Sequence, residues 1–456
     1  MEEFIKSVTD QIRCVRARAG VAKELFDHIE DQAAAYEEEG ELHEEAVRRA
    51  VREMGDPVEV GVELDRIHRP QTDFKMIGMA FAFSAAGFFV LCGVNGLTHY
   101  PEYLIKQCLV VFLSFGVMAG MYFLDYSFVG RYAYGIYVLV TIVTFIGSMY
   151  AARGGMVPRT FMLSYLYVPV YAGILYRLRG GAYGALVWGI VIQMVNAVFV
   201  LTFSSTLYTT LNVYMICAVL LILAIRKRWF AVDRKKAAFI VIGALFGLPT
   251  VLLIGRGVLF GAAYGFQTMR LQAWLHPEKY AEGAGYLYQF IRQELSSAKF
   301  IGPSDSIFVK KEGVTQGAKA WLIGAPIPYP TEPFVLLQLI CNYGILAGLA
   351  MVAAFSAVVI RAFCIVKNQK NQLGFMISAA CFMVFLINCL EGVLINTGYC
   401  LVNSMQLPFV SDGVCTAITY AILIGLLLTV HRNERIITDE TIRRPAWRLS
   451  IKWEKR

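Results

Sequence analysis

The chain has 456 residues, of which 57% are hydrophobic and only 17% charged, with a mean hydropathy of +0.54. That composition excludes an ordinary soluble globular protein. The apolar residues fall in blocks of about 20, the length of a bilayer-spanning helix, so an all-α polytopic membrane protein is expected. The formal charge is +8, yet residues 1–70 carry 18 acidic against 10 basic residues, leaving +16 on the remainder. That excess lies between apolar blocks, where it sets membrane orientation and gives no reason to expect a nucleic-acid partner.

Residues 1–70 read as a small helical domain ahead of the membrane part. The first residues are charged and lack the early apolar core of a signal peptide. Leu25, Ile29, Ala33 and Tyr36 recur at helical spacing, and Gly40 is a plausible stop. Leu42, Ala46, Ala50 or Val51, and Met54 repeat the pattern up to Gly55. Asp56-Pro57 then has the form of an N-cap with proline at the first helical position. His28 and His43 sit among acids but outside any HExxH pattern, as surface or packing histidines. The run Glu37-Glu38-Glu39 is a solvated helix end.

Ten spans follow, at roughly 75–97, 104–125, 133–151, 161–176, 181–203, 205–225, 237–259, 334–360, 373–396 and 413–430. With the N-terminus inside, the short inner loops hold twelve Lys/Arg, among them Arg131, Arg177, Arg361 and the cluster Arg226–Lys236, and the short outer loops hold three. This bias predicts a multi-pass protein of the cell membrane with both termini cytoplasmic. The fourth span is short, but dropping it would put the Arg226–Lys236 cluster outside. Residues 260–333, between the seventh and eighth spans, form a large polar outer loop of the kind that commonly carries function. Residues 433–456 are a basic tail suited to the anionic inner surface. No internal repeat points to a transporter of duplicated halves.

Most of the ten cysteines lie inside apolar blocks, as small packing residues. No CxxC and no Cys/His cluster with metal-ligand spacing occurs. Cys400 and Cys415 flank a short outer loop, where a disulfide is open but unsupported. Three blocks carry the informative residues. The first is "YGFQTMRLQAWLHPEKYAEGAGYLYQ", with Arg270, Pro277-Glu278, Gly285-Tyr286 and Gln289. The second is "PTEPF", with Glu332, running into "ICNYGILAGL". The third is "INTGYCLVNSMQLPFVSDGV", with Asn396, Gly398, Leu407-Pro408-Phe409 and Ser411. Glu391 lies within the ninth span, and an acid at membrane depth is a functional candidate by default. Asn388 and Asn396 are within its reach along the helix. Arg256, near the outer end of span seven, is costly there unless it snorkels or is paired.

In this order the blocks, over about 75–432, resemble the SEDS family (shape, elongation, division and sporulation) of FtsW/RodA/SpoVE proteins, whose last block reads "NIG…LPFxSxGG". The stretches "HIEDQAAAY" and "EMGDPVEVG" look like the helical prefix found ahead of some Gram-positive permeases and some SEDS proteins. The resemblance implies ten helices, a large loop between the seventh and eighth, and polymerisation of lipid II at the outer membrane face. It also implies an undecaprenyl-pyrophosphate leaving group and a class B penicillin-binding protein as partner, in elongation, division or sporulation. The family's "HTDF" acid falls on Glu332, the candidate catalytic base, expected at the N-cap of helix eight. Arg256, Arg270, Glu391, Asn396 and Ser411 are the implied substrate-binding candidates, with a divalent cation at the pyrophosphate admitted and Asp305 as a fallback base. Two departures stand out. Glu332 replaces an aspartate and is followed by proline, and Tyr165 and Val168 stand where the family's fourth helix carries an acid and a lysine. Arg159, Arg256 and Arg270 would then supply the positive charge. Two other readings remain open: a scaffold that kept the fold without turnover, and a lipid or proton transporter resting on Glu391.

Overall fold

The computed structural model describes residues 1–70, 72–95, 101–153, 159–203, 207–244, 247, 269–280, 285–304, 334–401, 407–408, 413–434 and 436. Among them the secondary structure is helical, without strands. Four helices come first: α1 (Glu2–Gln11), α2 (Val15–Glu38), α3 (His43–Glu53) and α4 (Pro57–Ile67). The helices α1 and α4 pack together, as do α2 and α3. Ile29, Ala33, Ala46 and Ala50 form the small core between the second pair, with Tyr36, Val51 and Met54 against it. Leu42 departs from the predicted pattern. It is the N-cap residue of α3 and lies outside the helical register, 73% exposed. Asp56 caps α4 as its sequence predicts, accepting from the amides of Val58 (2.7 Å) and Glu59 (3.1 Å).

An exposed polar cluster links α2 to α3. The Tyr36 hydroxyl donates to the Glu53 carboxylate, and the Arg49 guanidinium lies 4.1 Å over the Tyr36 ring. The Tyr36 hydrogen bond is the main cause holding the Glu53 carboxyl below its ordinary range, with Arg49 adding to it. A depressed carboxyl pKa contributes stability above the unfolded value of about 4.3, and the contribution is lost as pH falls through the folded value. Tyr36→Phe is therefore expected to lower the melting temperature at pH 7 and to lower it less at pH 3. Thermal unfolding of both proteins at the two pH values checks this; an equal deficit at pH 3 would rule out the linkage.

The membrane part comprises α5 (Phe74–Asn95), α6 (Pro101–Phe123), the short α7 (Ser127–Arg131) and α8 (Ala133–Arg153), then a 3-10 segment (Arg159–Leu166) running into α9 (Tyr167–Arg177). It continues with α10 (Tyr183–Phe203), α11 (Leu207–Arg226), α12 (Tyr286–Ser296), α13 (Val335–Tyr343), α14 (Ile345–Asn368), α15 (Gln372–Asn396) and α16 (Val414–Arg432). Among the described residues seven helices are long and apolar enough to cross a membrane. The fourth predicted span is the composite of the 3-10 segment and α9. Every residue from Tyr167 to Leu175 is buried, so this element is enclosed by protein. Of the seventh span only residues 237–244 and 247 are described, all helical. The centre is α15 and α16, each with 67% of its apolar window buried, against 17% for α6 and 22% for α8.

The eighth span is not the continuous helix its hydropathy suggests. It breaks at Gly344 into α13 and α14. The reason lies in the preceding loop: Gly302 N and Ser304 N donate to Tyr343 O and Cys341 O, at 3.0 and 2.8 Å. The amides of Ile345 and Leu346 donate to Lys299 O and Phe300 O, at 2.9 and 3.1 Å. Residues 299–304 thus satisfy both helix ends that the break exposes.

At the opposite end, Asp73 joins the amino-terminal helices to the membrane part. Its carboxylate caps α5 through Met76 N (3.1 Å) and pairs with Arg361 of α14 (2.8 Å) while its side chain is 1% exposed.

Candidate functional site

The three informative blocks converge at the end of α15 that faces away from Asp73. From the first block, Gly285 opens α12, whose Ile291 and Arg292 lie beside Gly398, and the Arg292 guanidinium lies 5.9 Å over the Tyr399 ring. From the second block, Phe334 is the N-cap residue of α13, which has no side-chain cap of its own. The cap comes from the third block: Asn396 Oδ1 accepts from Leu337 N at 2.9 Å, and Asn396 Nδ2 donates to Gly392 O at 2.7 Å. Asn396 is fully buried. Leu407 closes the third block onto α15 at Gly392, where a Cβ would stand 2.3 Å from Leu407 Cδ2.

This places the sequence candidates. Glu332, Arg256 and Ser411 lie outside the described residues, as does Asp305. The expected N-cap position of Glu332 therefore also lies outside the described residues; the described α13 begins at Val335, with Phe334 before it. Arg270 is exposed on the helical turn 269–275. Asn396 is engaged on both amide atoms by backbone.

Glu391 is buried on a different side of α15 and has a partner that the sequence did not single out. Asn212 of α11 donates to both its carboxylate oxygens, at 2.7 and 2.9 Å, and lies 3.4 Å from the Tyr165 hydroxyl. Tyr208 lies at the mouth of this cluster, 3.2 Å from Cys400 Sγ. Asn388 turns instead to the Tyr420 hydroxyl of α16, at 2.9 Å. Asn388, Glu391 and Asn396 of α15 thus serve three neighbours, not one shared site. Tyr165 and Val168 are both fully buried. The signal for Asn212 was its position, an amide at membrane depth inside an apolar span.

Replacing Asn212 with leucine removes the amide that donates to both oxygens of the buried Glu391 carboxyl and leaves it the Tyr208 hydroxyl. We expect a loss of about 1–3 kcal/mol, most of it recovered in the double variant with Glu391→Leu. Thermal stability in detergent around such a cycle checks the pair, and additive losses would sink it.

Cys400 and Cys415 are free thiols. Among the described residues no three His, Cys, Asp or Glu side chains converge as metal ligands, so the divalent cation admitted from sequence finds no ready set there. An apolar groove of about 420 Å³ between α6 and α16 is lined by Ile105, Leu109, Val110, Leu113 and Val414, with Lys106 at its edge.

Fold and site together define an all-helical, multi-pass membrane protein whose site is assembled around one end of a central helix. Residues 183–436 match the family described as cell cycle protein, FtsW/RodA/SpoVE. The chain belongs to that family. No curated protein sequence matches it. A solved structure shares the fold, and others are more distantly similar. The first is described as "Structural coordination of polymerization and crosslinking by a peptidoglycan synthase complex". It has TM-score 0.57 and 15% identity, covering 80% of this chain and 98% of that one. Another is the rod shape determining protein RodA of Thermus thermophilus, with TM-score 0.47 and 14% identity over 80% of this chain and 97% of that one. A substituted form of the same RodA gives TM-score 0.49 and 13% identity, covering 80% and 98%.

Proposed function

We propose that this protein is a peptidoglycan glycosyltransferase that polymerises lipid II at the outer face of the cytoplasmic membrane, beside a class B penicillin-binding protein. One observation carries the reading: the three sequence blocks shared with the family meet at one end of α15, and Asn396 of the third block fixes the helix that Glu332 precedes. In this reading both termini are cytoplasmic, residues 1–70 are a regulatory domain, and α12 and the start of α13 face the outside.

The reaction follows from these parts. The acceptor sugar hydroxyl attacks the anomeric carbon of the donor and gives its proton to Glu332. The bond from that carbon to the pyrophosphate oxygen breaks, with inversion, and its electron pair leaves with undecaprenyl pyrophosphate. Charge on the leaving group calls for cations. Arg256, Arg270 and Arg292 are the candidates, the last added by its place beside Tyr399. The apolar groove between α6 and α16 offers a lipid tail a path along the protein.

A scaffold reading has one observation in its favour. Tyr165 and Val168, at the positions of the family's acid and lysine, are sealed in the core and bring no charge pair to the site. The deciding experiment supplies fluorescent lipid II to the purified protein in liposomes, with and without a class B penicillin-binding protein. Glycan chains on a gel establish the enzyme. Their absence, with the two proteins still co-purifying, establishes the scaffold.

A further inference from the structure

The amino-terminal helices leave a mixed surface uncovered on α4. On α4, Val58 and Val62 are 47% and 58% exposed, one helical turn apart, and the exposed carboxylates Glu59 and Glu63 run alongside them. An occupant of this ridge must be both apolar and basic. The acids disfavour an anionic lipid surface, since residues 1–70 are already at −8, with 18 acids against 10 bases.

The carboxyl-terminal segment has that chemistry. Residues 443–456, RRPAWRLSIKWEKR, carry six Lys/Arg against one Glu. Trp447, Leu449, Ile451 and Trp453 alternate with the polar residues Arg448, Ser450 and Lys452. The structure sets the roots of the two segments together. Thr72, five residues after α4, meets the Tyr122 hydroxyl at 2.8 Å. Arg432, the last residue of α16, donates to Tyr122 O at 3.2 Å and lies 4.8 Å over the same ring. Ile436 is buried at this end. The distances suffice. Eleven residues from Ile436 to Trp447 reach up to about 36 Å. The link from Thr72 to α4 spans at most about 18 Å, and α4 is about 16 Å long. A ligand tethered at that range acts at an effective concentration on the order of millimolar.

We infer that residues 443–456 dock on the Val58/Glu59/Val62/Glu63 ridge of the same chain, as an internal ligand of the amino-terminal helices. The test uses the full-length protein in nanodiscs of neutral lipid. A zero-length carbodiimide couples carboxylates to lysines in contact, and mass spectrometry reads the links. Links from Lys452 or Lys455 to Glu59 or Glu63 are expected within one chain, lost at high salt. In the variant Glu59→Lys/Glu63→Lys, tryptic cleavage of the tail should accelerate on the order of tenfold. Three outcomes would overturn the proposal: links only between chains, cleavage unchanged by the charge reversal, or protection of the tail only when anionic lipid is present.

Discussion

Glu332→Ala is expected to reduce glycan synthesis from lipid II by about 10²- to 10⁴-fold, the range that a positioned general base supplies. The acid stands just ahead of α13, whose first turn is held from α15 by Asn396. Without a carboxylate at that point the attacking hydroxyl has no proton acceptor, while binding of the lipid tail and pyrophosphate is untouched. The loss should therefore fall on kcat, with KM little changed. Glu332→Asp shortens the side chain by one methylene. A displacement of about 1 Å can cost on the order of 100-fold, so the aspartate should retain activity between wild type and alanine. Asp305→Ala should behave as wild type. Quantified glycan product from the purified variants decides the matter: undiminished product from Glu332→Ala removes this residue from the chemistry, and a collapse in Asp305→Ala moves the role there.

Gly344→Ala is expected to destabilise the protein and to inactivate it without replacing any reacting group. The residue has φ 102° and ψ 168°, a region essentially confined to glycine. The backbone alone costs an alanine about 1–3 kcal/mol there. A Cβ would also stand 2.7 Å from Phe300 O and 2.8 Å from Ile301 Cα. Both are backbone atoms of the segment that caps the break, so neither can give way without releasing those caps. The chain would then favour one continuous helix, which swings α13 away from Asn396. Thermal inactivation half-life in detergent, together with hydrogen exchange over residues 299–346, reads both effects. Full stability with unchanged exchange in the variant would mean that the break tolerates a side chain.

These two variants separate what each part of the site does. The role proposed for Glu332 rests on residue order alone, an acid between prolines at the start of an apolar run, and the residue lies outside the described structure. The Asn396 cap was not visible in that order, since the sequence offers the asparagine but no partner for it. Its acceptor serves an amide 59 positions away, and hydropathy carries no information at that separation. The Glu391–Asn212 pair spans 179 positions and was equally hidden, although Glu391 was conspicuous alone as an acid at membrane depth.

The sequence by itself determined the features that local chemistry controls. Apolar blocks of bilayer length specify membrane helices, since a continuous apolar run of about 20 residues pairs its own backbone across the bilayer as a helix. Asp56-Pro57 specifies the start of α4, and the apolar spacing in residues 25–54 specifies the core between α2 and α3. Only the tertiary structure decided where a helix of even apolarity breaks and which polar groups meet. Gly344 breaks α13 from α14 because residues 299–304 arrive to satisfy both ends, and the first turn of α13 is held because Asn396 reaches Leu337 N. A backbone amide can be satisfied by any acceptor brought within about 3 Å, and packing, not neighbouring sequence, brings it there.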